Sequence, residues 1–162
     1  MDELELKNFL IKMVQVYGTT WNEHETYVRT QSDAQEEEMK AKFANDVDKF
    51  AWQKVKPPVD WFDEFTKLLA PLFDKYVTEK KRVYGGSVRR SFGFPSKFNG
   101  IENPIETNVE LKNKNRAEVY FKTETKFKDE YLFVLLRKSD EWRIDSYKGR
   151  RYGNEKWDNQ IL

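Results

Sequence analysis

The chain of 162 residues carries 29 Lys/Arg against 28 Asp/Glu, with one histidine and no cysteine. That length is one domain's worth, enough to bury about 70% of its unfolded surface. A net charge of +1 excludes a global field that would draw the chain to nucleic acid or membrane, and the lack of cysteine excludes disulfides, thiolate catalysis and Cys-based metal sites.

The charge is uneven along the chain. Residues 1–79 hold 10 Lys/Arg and 16 Asp/Glu, a net of −6; residues 80–162 hold 19 and 12, a net of +7. Such asymmetry fits recognition of a charged partner, or contact between copies of the chain in a homodimer. The opening "MDELELKNFL" is acidic and amphipathic, unlike a secretory signal, and no 18-residue apolar run is present. A cytoplasmic protein with no membrane partner is expected.

Apolar residues recur every three or four positions at Leu6, Phe9, Leu10, Met13, Tyr17, Trp21, His24 and Val28, which predicts one helical face. "SDAQ" reads as a capping box starting a second helix, with Met39, Phe43, Val47, Phe50 and Ala51 on one side. "KPP" at 56–58 ends it, and Asp60 is the expected N-cap of a third helix striped by Phe62, Phe65, Leu69, Leu72 and Tyr76 and kinked at Pro71.

Beyond residue 80 the period changes from 3.6 to 2. A strand is expected around Val88 to Phe94. "PIETNVELK", "RAEVYFKTETKF", "YLFVLLR" and "WRIDSYK" then read as successive strands joined by turns at 113–115, 128–130 and 139–141. "YLFVLLR", apolar at nearly every position, is the central strand. Trp157 and Ile161 predict one docked turn of helix in the tail. Helices followed by a strand meander define an α+β fold, with amino-terminal helices on a curved antiparallel sheet that forms a cone, over a single domain of residues 1–162.

"KKRVYGGSVRR" (80–90) is the densest basic stretch. A phosphate loop needs strand, glycines, Lys-Ser/Thr and then helix, and the order here is reversed. The stretch reads as a helix end, with Lys80, Lys81 and Arg82 on the dipole, Gly85 and Gly86 at the exit, and Arg89 and Arg90 on successive sides of a strand. Even overall charge argues against a nucleic-acid partner.

His24 reads as structural, because no His or Cys partners exist for a metal. Asp145, on the last strand, is either a base inside the cone or one half of an ion pair with Arg82 or Arg90; the pair is the simpler reading. Glu36, Glu37 and Glu38 suit a helix N-terminus, and they alternatively form an acidic patch for a basic partner. No cofactor and no metal site are expected.

Two segments, "FDKYVTEKKRVYGGSVRRSFGFP" and "YLFVLLRKSDEWRIDSYKGRRYGNEKW", resemble the immunity proteins of bacterial polymorphic toxin systems that have a nuclear transport factor 2-like fold. The resemblance runs through Tyr76, Thr78, Lys80, Lys81, Arg82, Tyr84, Gly85, Phe92, Gly93 and Pro95, then Tyr131 to Lys138 and Glu141 to Ser146, over roughly residues 72–160. Asp140 stands where a turn glycine is expected, and the loop from Gly86 to Arg90 is long for the pattern. The resemblance implies a cytoplasmic, non-enzymatic protein that occludes one cognate toxin through an interface of about 1,600 Å². Partner contacts are expected at Glu36, Glu37, Glu38, Arg89, Arg90, Arg150 and Arg151. The alternative is a ligand-binding or isomerase/dehydratase-like domain, with His24, Tyr76, Arg82, Tyr84, Trp142 and Asp145 around the cone pocket.

Overall fold

The computed structural model describes residues 1–162 as two long helices on one face of a five-stranded antiparallel sheet. Helix α1 (Glu3–Lys42) begins at a capping box, in which Asp2 accepts from the Glu5 amide and Glu5 accepts from the Asp2 amide. At a rise of about 1.5 Å per residue it is roughly 60 Å long. The expected break at Ser32 does not occur, because the capping signal there competes with a helix anchored on both sides. Val28 and Met39 are buried, and the Gln35 side chain donates to the Val59 carbonyl at 3.0 Å and accepts from the Val59 amide at 3.1 Å. The predicted second helix is therefore the end of the first. Of its stripe only Met39 is buried, Val47 and Phe50 are exposed, and Ala51 opens a short 3-10 helix (Ala51–Lys54).

Helix α2 (Trp61–Tyr76) starts where expected: the Asp60 carboxylate accepts from the amides of Phe62 and Asp63. It continues through Pro71, which points to solvent, and buries Phe65, Leu69 and Leu72 against α1. The helix stops at Tyr76. Lys80, Lys81 and Arg82 thus lie beyond it, and the reading of them as a helix end is corrected.

The strands are β1 (Glu106–Asn113), β2 (Arg116–Lys122), β3 (Glu130–Lys138), β4 (Glu141–Arg150) and β5 (Asp158–Gln160), paired in chain order. Alternation decides the faces: Ala117, Val119 and Phe121 on β2 meet Leu135, Phe133 and Tyr131 on β3 beneath the helices. β3 is the middle strand, as its continuous apolar run predicts. The β3–β4 turn has both Ser139 and Asp140 at positive φ, so Asp140 does a glycine's work there. The tail forms β5 rather than a turn of helix, because the edge of β4 offers it backbone partners from Tyr147 to Gly149.

No strand forms at Val88–Phe94. Residues 77–105 make only one bridge, Val77 to Ile144, and otherwise run as an irregular strap across the end of the cone. The strap's far end bonds to α1 side chains instead of a ladder. Glu25 accepts from the amides of Gly93 and Lys97, and Asn22 exchanges two bonds with the backbone of Phe98. Gly85 and Gly86 have φ near +80°, and the Gly86 amide donates to the Leu162 carbonyl at 3.0 Å. The close approach of the tail requires a glycine at 85, and positive φ alone favours one at 86; neither marks a helix exit.

Candidate functional site

The place where a cone fold would hold a ligand is filled. Phe98 descends from the strap, is fully buried, and packs its ring against Tyr17, Trp21, Tyr131, Phe133 and Tyr147 with centroids 5.1–6.0 Å apart. Below it, Tyr17 and Trp21 close on Phe65, Phe73 and Tyr76 of α2. Edge-on and tilted rings of this kind stabilise beyond their area burial.

Above Phe98 sits a cationic layer. Lys97 Nζ lies 4.9 Å from the Trp21 ring and 5.5 Å from that of Tyr147, and donates to the Ile161 carbonyl. Arg89 stacks 4.8 Å over Trp21, and its Nε and Nη2 meet no acceptor within the protein. Burial is the main cause that brings the Lys97 ammonium down to about 7; neighbouring Arg89 adds to the fall and Glu25 opposes it. Burial pushes the Tyr17, Tyr131 and Tyr147 hydroxyls far above their ordinary value. Burial thus favours the neutral form of all three.

The six pocket residues named from sequence do not share a cavity. His24 is half-buried on the flank of α1, its pKa lowered by burial and raised in part by Glu23. The core position on that stripe belongs to Glu25, four residues after Trp21 and three before Val28. Tyr76 packs edge-on to Tyr17. Tyr84 is exposed on the strap, and Trp142 rests against the core from the sheet.

Only Arg82 and Asp145 meet, and not as a charge pair. Asp145 is the extra residue of a β-bulge, since Val134 pairs with Ser146 while Leu135 pairs with Ile144. The bulge keeps Ile144 and Tyr147 on the buried face and turns the Asp145 carboxylate outward, into a cleft of about 630 Å³. There it accepts from Thr78 Oγ1 at 2.9 Å and pairs with Lys80 Nζ at 3.0 Å, while Arg82 donates to its backbone carbonyl at 3.1 and 3.2 Å. Burial raises the Asp145 pKa, but Lys80 and Thr78 outweigh it and hold the carboxyl below its usual range. The expected partners, Arg82 and Arg90, are thus replaced by Lys80. An ionised, paired carboxylate outside the cone is a poor general base.

The partner residues named from sequence lie on three separate surfaces. Glu36 and Glu37 reach Lys40 at 3.8 and 3.5 Å, and Glu38 is exposed. Arg90 is exposed on the strap beside the half-buried Arg89. Arg150 donates two hydrogen bonds to the buried Glu130, at 3.1 and 3.2 Å, and stacks 4.1 Å over Trp157; Tyr120 donates to the same carboxylate. Arg151 pairs with the buried Asp129 at 2.9 Å and stacks over Phe127. Sequence reading missed Glu25, Lys97 and Phe98. An acid at a core spacing of the first stripe was the available signal.

An antiparallel sheet under two helices, with its inner face filled by its own side chains, is an α+β fold of the nuclear transport factor 2-like class. The sequence model described as NTF2 fold immunity protein matches residues 60–160, most of the chain, and the chain belongs to that family. Among its relatives is the Immunity protein RhsIA of Dickeya dadantii (strain 3937), 28% identical over 95 residues, which are 59% of this chain and 68% of that protein. No solved structure matches. No helix is long and apolar enough to cross a membrane.

Proposed function

We propose that this chain acts as a single domain in the cytoplasm, where it binds one cognate toxin domain and blocks its action by covering it. The observation that carries the reading is the family membership over residues 60–160, a span that includes the whole sheet and the strap. The filled cone supports action by binding rather than catalysis. Phe98 fills the space between the helices and the sheet, and Asp145, the carboxylate named from sequence as a candidate base, lies outside it, paired with Lys80 and Thr78. Glu36–Glu38, Arg89–Arg90 and Arg150–Arg151 mark three alternative contact surfaces. An interface of about 1,600 Å² fits a protein of this size.

A toxin gene, or its carboxy-terminal fragment, is expected immediately upstream of this chain's gene, and the test is co-expression with that fragment. Rescue of growth and a co-purifying complex are expected. Neither rescue nor complex would remove the assignment.

A further inference from the structure

Between Glu79 and Glu102 the chain has no acidic residue and six cations: Lys80, Lys81, Arg82, Arg89, Arg90 and Lys97. Lys80 and Arg82 are spent on Asp145, and Lys97 on the Ile161 carbonyl. Lys81 and Arg90 are exposed, and neither enters an ion pair within the chain. Among these charges Val83, Tyr84, Val88 and Phe94 are 84%, 75%, 59% and 82% exposed. Scattered apolar residues are ordinary on a surface; four of them, with two aromatics, inside one basic segment of fifteen residues are not.

The backbone adds a second observation. From Ser87 to Phe92 no amide or carbonyl bonds to another group of the protein. The bonded positions on either side are Gly86, on the Leu162 carbonyl, and Gly93, on Glu25. The segment is nevertheless fastened at both ends and beneath, where Phe92 stacks on Phe62 at 4.6 Å. A partner therefore meets a held surface with free donors and acceptors, aromatic anchors and unpaired cations. That is the composition of an interface centre with a polar rim.

We infer that the strap, residues 80–94, is the surface on which the toxin docks, and that the toxin presents an acidic face to it. The inference rests on the immunity reading and deepens it. An acidic protein fits better than a nucleic acid because the chain's net charge is only +1, whereas a phosphate backbone calls for a strongly basic domain, and because two of the four exposed apolar side chains, Val83 and Val88, have no ring to stack on a base. The strap also fits better than the tip of α1, where Glu36 and Glu37 already share Lys40.

The experiment measures binding of the same upstream-encoded toxin fragment, catalytically inactivated, to four forms of the full chain. These are the wild type, the double variant Lys81→Glu/Arg90→Glu, Tyr84→Ala, and a control reversal Lys114→Glu in the β1–β2 turn. All these side chains are exposed, so unchanged circular dichroism and melting are expected. Charge reversal should weaken binding about 100-fold, because like charges then face each other. Tyr84→Ala should weaken it about tenfold or more, and Lys114→Glu by less than about twofold. Raising salt from about 50 to about 300 mM should weaken the wild type more than the double variant. If wild type protects and the strap variants bind as tightly as it does, the inference falls and the immunity reading stands. If wild type neither binds nor protects, both fall. Loss of binding on reversing Glu36, Glu37 and Glu38 together, with strap variants unaffected, would place the interface on α1 instead. A single-stranded RNA oligonucleotide held by wild type and released by the double variant would replace the acidic protein with a nucleic acid.

Discussion

Glu25 and Lys97 are joined through the backbone and not through their charges. The Lys97 amide donates to Glu25 Oε1 at 2.9 Å, while the Lys97 ammonium lies over the rings of Trp21, Phe98 and Tyr147. Glu25 Oε2 takes the Gly93 amide at 2.8 Å. One buried carboxylate on α1 thus holds the strap at the point where it turns down to deliver Phe98. Replacing Glu25 by Ala leaves two amides without acceptors and should cost about 2–4 kcal/mol. Glu25→Gln, which keeps one acceptor, should cost about half as much. Urea unfolding at neutral pH measures both.

Phe98 is the plug of the cone, and its removal leaves a hole ringed by five aromatic residues. Phe98→Ala should destabilise by about 3–5 kcal/mol, while Phe98→Leu, which keeps most of the volume, should cost about half of that. Thermal unfolding of the two variants checks the order.

The ammonium of Lys97 should titrate near pH 7, far below an exposed lysine, as followed by NMR of its side-chain carbon and nitrogen. Its folded value is depressed, so the unfolded chain holds the extra proton between about pH 7 and the ordinary lysine range. Stability should therefore rise with pH through that window relative to Lys97→Met. A measured value above about 9 would contradict the burial argument.

Glu130 is buried, and its pKa reflects opposing causes. Burial raises it, but Arg150 and Tyr120 outweigh that and leave it lowered. Its contribution is present above the unfolded carboxylate range and is lost as pH falls through the lower folded value. Glu130→Gln should flatten the acid limb of the stability profile. Arg150→Ala strands the carboxylate and should cost about 2 kcal/mol at neutral pH, less than a fully buried pair because Arg150 is partly in water.

Two adjacent glycines should behave differently. Both have positive φ, but a side chain on Gly85 would collide with Ile161 and the Leu162 carbonyl, whereas one on Gly86 would meet nothing. Gly86→Ala should cost about 1 kcal/mol in backbone strain alone; Gly85→Ala should cost clearly more and loosen the tail. Hydrogen exchange at the Gly86 amide reports the second effect.

Local chemistry made several elements legible. Asp60 was recognisable as a cap because its carboxylate needs only the next turn's amides. The alternation of Ala117, Val119 and Phe121 located β2 and its buried face, since strand side chains must alternate. The continuous apolar run Tyr131–Leu136 marked the central strand, and the paired segments around residues 73–95 and 131–157 carried the family resemblance. Ser32, by contrast, has the residues of a cap but no chain exit, because Gln35 and Met39 hold the helix from outside.

By itself, then, the sequence determined the α+β order, the meander and its register signals, and the charge division, because each depends on residues close along the chain. Tertiary structure decided everything that needed a distant partner. Val88–Phe94 has strand-like residues, yet it forms no ladder because β5 takes the edge of β4 and Glu25 of α1 takes the Gly93 amide at the segment's end. The Asp145 carboxylate points out of the cone because a single bulge shifts the pleat, and Lys80 reaches it only once α2 has ended. Phe98 became the plug because Asn22 and Glu25, more than 70 and nearly 70 residues away, bond the backbone that carries it. Hydrophobic period reports which face of an element is buried; it does not report what that face is buried against.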